Sequence, residues 1–302
     1  MGDQKSLFDS RSYRGARPPS YAIEAPAAGL TVAATLPAYH AYLGSAGYSQ
    51  YTPDDFTADI RRFSQFMPDR RLEEIQTADL QQWVNQLKQT MPPKTVSRKV
   101  SALRNYFRWL QAERVLSQSP AERLRAQHVT PPLPQLLYET ECERLLTTAS
   151  GDARTYLLVL LLLETGLKKA ELLALQRSDF DFSNRYQPEL WLRHSGKQVF
   201  KDRRLKLPPA VIEVFDEYIR EYAVDDILFP YAPRRLEQLL RGIAHQAGIT
   251  KPVTASALRD AFVVRSVKRG AKLDDVFAKL GLSKTGQEEA RKKYSRLTSE
   301  AL

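Results

Sequence analysis

Eight basic side chains fall within Lys94–Arg125 (Lys94, Arg98, Lys99, Arg104, Arg108, Arg114, Arg123, Arg125) against two acidic ones, Glu113 and Glu122, a local charge of +6. The last 52 residues, Lys251–Leu302, hold twelve basic and six acidic residues, a second +6. The other 218 residues hold 25 basic and 27 acidic side chains, so the net +10 of the 302-residue chain is concentrated in two segments. Spread evenly, such charge would serve solubility; gathered, it is the footprint of a polyanion, because guanidinium and ammonium groups are strong donors to phosphate oxygens. Nucleic acid is therefore the expected partner. Metal chemistry is not expected: Cys142 and four scattered histidines (His40, His128, His194, His245) show no structural-zinc spacing. One cysteine cannot form an internal disulfide, which fits a reducing cytoplasm.

The first basic segment belongs to a helical stretch. Helices are predicted over Thr35–Gly44, Thr52–Met67, Thr77–Thr90 and Pro93–Arg114, each opening with Thr or Pro near a first turn. In the last, Val96, Val100, Leu103, Phe107 and Leu110 follow the three-and-four spacing of one buried face. Arg98 and Arg108 project away from that face and Arg104 sits on its shoulder, so this helix, with Lys94 and Lys99, is expected to lie on a phosphate backbone. Residues 1–30 carry Arg, Ser, Pro and Gly without an apolar segment and read as a flexible tail, not a signal peptide. The most apolar run, Tyr156–Leu163, stops at Glu164 after eight residues, well short of the ~20 that cross a bilayer.

Around HVTPPLPQ (128–135) the periodicity stops, and three prolines without glycine make a stiff connector between a helical domain, 31–127, and a second domain, 136–302. There, helices are predicted over Thr140–Ala149, Ala153–Thr165, Lys169–Leu175, Pro208–Tyr222, Arg234–Gln246, Ala255–Arg269, Leu273–Leu280 and Gln287–Arg296. Strands over Glu189–Arg193 and Val199–Leu207 flank Ser195–Gly196–Lys197 as a hairpin. The class is mainly α with a small antiparallel β-sheet. Trp83, Trp109 and Trp191 stand among apolar residues and are expected in cores.

Several stretches together resemble the tyrosine recombinase (phage integrase, Xer-like) family. KTVSRKVSALRNYFRWLQAERVLSQSPAERL (94–124) is similar to its core-binding domain, and VLLLLETGLKKAELLALQRSDFDF (159–182) to its first catalytic box. SGKQVFKDRRLKLPP (195–209) resembles its lysine hairpin, VTASALRDAFVVRSVKRGA (253–271) its second box, and KLGLSKTGQEEARKKYSRL (279–297) its terminal tyrosine segment. The resemblance implies a two-domain clamp on double-stranded DNA, alone or with a second recombinase or further copies of itself. It also implies a chemistry without metal or cofactor. A tyrosine attacks a phosphodiester to give a 3′-phosphotyrosine, two arginines hold the phosphate oxygens, a hairpin lysine protonates the departing 5′ oxygen, and histidines manage protons. Because the sequence runs eight residues past Tyr294, a ring of four joined by a long C-terminal helix is not expected.

Carried over residue by residue, Tyr294 occupies the nucleophile position, Arg259 the second arginine and Lys197 the hairpin lysine; Glu171 matches the acidic residue of the first box. The first arginine is replaced by Lys168, which keeps the charge but loses the bidentate fork. The two histidine positions hold Ser256 and Leu282, neither capable of imidazole chemistry, and Asp260 follows Arg259. His194 and His245 fall at no matching position and are expected to be structural. The expectation is a DNA-binding protein of this fold with impaired or lost strand cleavage, acting in or beside DNA recombination; the alternative is an active divergent recombinase working through Tyr294.

Overall fold

A computed structural model describes residues 29–46, 52–124, 134–194 and 202–301. The tail read over 1–30 except Gly29 and Leu30, most of the connector read over 128–135, and the hairpin turn with Lys197 lie outside the described residues. The chain divides into two compact units between Pro132 and Leu133.

The first unit holds α1 (Val32–Ser45), α2 (Thr52–Phe66), α3 (Thr77–Thr90) and α4 (Pro93–Ala112). Thr31 caps α1 by accepting the Ala34 N–H, and Pro93 starts α4 where its missing N–H costs nothing. The apolar stripe read in α4 is buried throughout, and Tyr39, Phe63, Trp83, Tyr106, Phe107 and Trp109 form an aromatic core around it. Two hydroxyls inside that core are satisfied: Tyr106 Oη meets Thr35 Oγ1 at 2.6 Å and Tyr39 Oη donates to Asn105 Oδ1 at 2.7 Å. The helix stops at Ala112, before the predicted Arg114, which has turned to the left-handed region (φ 61°).

The second unit is built on α6 (Ala153–Thr165), whose seven residues from Leu157 to Leu163 are all buried. A helix apolar on every side must be surrounded, and α5 (Glu139–Ala149), α8 (Ala210–Tyr222) and α10 (Ala255–Lys268) pack on it. Gly166 ends α6 at φ 62°, the left-handed conformation that glycine adopts without steric cost. The short α7 (Lys169–Leu173) follows, then β1 (Phe180–Asp181), β2 (Glu189–Leu192) and β3 (Arg203–Lys206), and later α9 (Pro233–Gln246), α11 (Leu273–Lys279) and α12 (Lys284–Ala301). The sheet is antiparallel in the order β1-β2-β3, with Leu190 opposite Leu205 and Trp191 opposite Arg204.

Trp191 is not in the core. Alternation along β2 buries Leu190 and Leu192 and leaves Trp191 39% exposed, its ring covered by the Arg193 and Arg204 guanidinium groups at 4.4 and 4.7 Å. Helix α12 also extends beyond both predicted ends, Gln287 and Arg296. Cys142 is buried and its thiol pKa is pushed up to about 11 by that burial, so it behaves as a packing residue. Among the described residues no helix is long and apolar enough to cross a membrane.

Candidate active site

Arg259 is carried on α10, whose first turn is capped by Thr254 accepting the Ala257 N–H at 3.1 Å. Its guanidinium donates through Nη1 to the Gly166 carbonyl and through Nη2 to the Leu280 carbonyl at 3.1 Å. One arginine thus ties the end of α6 to the end of α11. Burial lowers its pKa, opposed chiefly by the Glu171 carboxylate, yet a guanidinium stays protonated at any physiological pH.

Tyr294, on α12, is 5% exposed and packs near Phe277, ring centroids 6.2 Å apart. Its hydroxyl donates to Asp260 Oδ1 at 2.7 Å. The neighbouring Lys293 Nζ reaches both oxygens of the same carboxylate, at 2.7 and 2.8 Å. Burial raises the Tyr294 pKa well above the usual phenol range, the Asp260 charge and hydrogen bond raise it further, and the Arg259 charge partly offsets both. A free phenolate is therefore disfavoured here.

Lys168 stands at the start of α7, its main-chain N–H donating to Glu171 Oε2 at 2.8 Å. The same oxygen accepts Arg203 Nη2 at 3.0 Å, and Arg203 Nε donates to the Lys279 carbonyl at 2.6 Å. Burial alone would raise the Glu171 pKa; the hydrogen bond and charge of Arg203, with the Lys168 N–H, overcome this and lower it. His194, at the end of β2, lies 3.6 Å from Glu171 Oε1 and 3.5 Å from Asp202 Oδ1. Ser256 is exposed on the first turn of α10, and Leu282 packs partly buried against the cluster around Phe277 and Tyr294.

The structure thus brings Tyr294 and Glu171 each within electrostatic reach of Arg259. It adds three residues that the family-like spacing had not placed in the site: Asp260, Arg203 and His194. Asp260 had a visible signal, an acid one residue after Arg259 within a strongly basic segment. Arg203 and His194 had none, because their contacts with Glu171 cross 32 and 23 residues of chain that only the fold closes.

The basic face of α4 is narrower than expected. Lys94, Arg98 and Arg108 are exposed, and Arg98 also pairs with Asp59 at 2.9 Å. Arg104 is half-buried and donates to the Leu124 carbonyl. Burial lowers its pKa, and the nearby Arg108 charge lowers it further. Lys99 corrects the sequence reading: it is 1% exposed and its ammonium is committed to Asp59 of α2, so it cannot meet a phosphate. Lys99 follows Val96 by three residues, which turns it onto the apolar face, where a buried charge requires a partner.

Two family models match this chain: "Phage integrase, N-terminal SAM-like domain" over residues 36–114 and "Phage integrase family" over 135–295. A tyrosine recombinase of Pseudothermotoga lettingae is 26% identical over 246 residues, covering 78% of this chain and 84% of that protein. Tyrosine recombinase XerC of Anoxybacillus flavithermus is 26% identical over 258 residues, with the same 78% and 84% coverage. Among solved structures, XerH site-specific recombinase bound to a palindromic difH substrate matches with a TM-score of 0.71 at 18% identity, over 90% of this chain and 82% of that one. A lambda integrase dimer bound to a COC′ core site matches with a TM-score of 0.68 at 20% identity, over 88% and 79%. These two likenesses concern the fold. With a mainly helical chain, a three-stranded antiparallel sheet and a family model spanning more than half of the sequence, the chain belongs to the phage integrase family of tyrosine recombinases.

Proposed function

We propose that this chain is a DNA-binding tyrosine recombinase in which strand cleavage is impaired, acting in or beside DNA recombination. The observation that carries it is the state of the phosphate-holding groups. Arg259 donates to two main-chain carbonyls, Lys168 supplies an ammonium where the family resemblance puts a second guanidinium, and neither Ser256 nor Leu282 offers an imidazole. Removing one such group costs on the order of 10²–10³ in rate, and losses within one constellation do not simply add, so the expected outcome is slow cleavage. Binding draws on further residues besides these: Lys94, Arg98 and Arg108 are exposed on α4, and Lys197 adds positive charge in the sequence of the second unit.

Binding to duplex DNA should weaken steeply with salt, since each neutralised phosphate contributes about 0.9 to the slope of log affinity against log salt. Arg108→Glu should lower affinity at every sequence and reduce that slope by about 1. Fluorescence anisotropy across a salt series checks both; a wild-type affinity insensitive to salt would sink the proposal. The Tyr294–Asp260–Lys293 contacts favour retained, slow activity over complete loss, because a hydroxyl already paired with an oriented base is a usable nucleophile. A nicked duplex whose cleaved fragment diffuses away should accumulate a covalent adduct over hours. Tyr294→Phe should abolish it on a denaturing gel.

A further inference from the structure

We propose that Asp260 is the catalytic proton acceptor for Tyr294, an inference that rests on the recombinase reading above. The nucleophile position, a base and an orienting group stand in one chain of contacts: Tyr294 Oη to Asp260 Oδ1 at 2.7 Å, and Lys293 Nζ to both Asp260 oxygens at 2.7 and 2.8 Å. This is the arrangement by which an otherwise weak nucleophile is activated. Asp260 is 3% exposed, so water competes little for its lone pairs, and the bidentate Lys293 fixes the plane of the carboxylate. The two positions where the family resemblance puts histidine hold a hydroxyl and an alkyl group, Ser256 and Leu282. His194 is turned toward Glu171 and Asp202. Among the described residues Asp260 is thus the base in hydrogen-bond contact with the Tyr294 hydroxyl.

The timing of the proton follows from the same geometry. A phenol is a far weaker acid than a carboxylic acid, about 10 against about 4 in ordinary pKa, so full transfer to Asp260 before attack is strongly uphill, and loss of the proton elsewhere would set two like charges 2.7 Å apart in a buried site. The proton passes from Oη to Oδ1 as the bond from Oη to phosphorus forms, the route by which a carboxylate accepts the proton of an attacking hydroxyl in other phosphoryl transfers. The bond from phosphorus to the 5′ oxygen breaks with its electron pair on that oxygen, which takes a proton from a general acid, the role that the family resemblance gives Lys197. On resealing, the 5′ hydroxyl attacks phosphorus and returns its proton to that acid, while Asp260 gives its proton back to the departing Tyr294.

The test uses the full chain and a nicked duplex carrying a site selected by the protein from a randomised pool, with Tyr294→Phe as baseline. Asp260→Asn should lower the rate of covalent adduct formation about 10²-fold in a chain that still folds and binds duplex. Formate should restore adduct formation at least several-fold in Asp260→Ala and leave Tyr294→Phe at zero. A residue that merely supports the fold would show no such rescue. Adduct formation in Asp260→Asn equal to or faster than wild type overturns the proposal, as does failure of formate in a folded, DNA-binding Asp260→Ala. A wild-type chain that binds duplex and forms no adduct overturns it too, leaving the DNA-binding reading intact; absence of duplex binding overturns that reading itself.

Discussion

Gly166→Ala is expected to lower the stability of the second unit by about 2–4 kcal/mol, the sum of a left-handed residue that a side chain disfavours and an overpacked contact. Gly166 has φ +62°, and a Cβ built there would lie 2.4 Å from Phe262 Cδ1 and 2.8 Å from Leu280 Cδ2. Phe262 lies on the helix that carries Arg259 and Leu280 caps the end of α11, and the Arg259 guanidinium donates to the carbonyls of Gly166 and Leu280. Relief of the clash must therefore move one or both of the groups that hold Arg259. Chemical denaturation should report the stability loss, and the same variant should lose covalent adduct more than it loses duplex binding. Gly151→Ala is the control: nothing lies within 4 Å of its added Cβ, so its effect should stay within about 0.5 kcal/mol. Equal effects at both positions would refute the packing argument.

The larger loss is expected in the first unit, from Asp59→Ala. Asp59 is 2% exposed and Lys99 1%, and the carboxylate also binds Arg98 at 2.9 Å. Removing the carboxylate strands an ammonium inside the helical core, a change that costs about 3–5 kcal/mol, whereas replacing a buried pair by apolar groups of similar size is often close to neutral. Asp59→Leu combined with Lys99→Met should accordingly recover most of the loss seen in Asp59→Ala. The pair of variants also separates two roles for charge on α4. Lys99→Met should change melting temperature with little direct effect on the salt slope of DNA binding, and Arg108→Glu should do the reverse. A double variant no more stable than Asp59→Ala would show that the pair contributes through something other than mutual compensation.

The same two regions show what could be read from the chain and what could not. The apolar period in α4 placed Val96, Val100, Leu103, Phe107 and Leu110 in the core correctly, because helical geometry turns spacing into direction. It also carried the information that Lys99 faces inward, but charge pointed the other way, and the deciding partner lies 40 residues earlier on α2. Trp191 fails for a similar reason: its apolar surroundings suggested a core, while strand alternation and the register that sets Arg204 opposite it decide that it faces outward.

The ordered motifs, the family, the concentration of charge and the changes at Lys168, Ser256 and Leu282 all follow from residue identity and order, which need no coordinates. The environment of those residues does not. Asp260 becomes a partner of Tyr294 only because α10 and α12 pack together across 34 residues of chain, and Glu171 gains Arg203 only because the fold brings the Arg203 side chain from β3 to the first turn of α7. Hydrogen bonds and ion pairs act over a few ångströms, so sequence can name the groups that might do chemistry, and tertiary packing decides which of them touch.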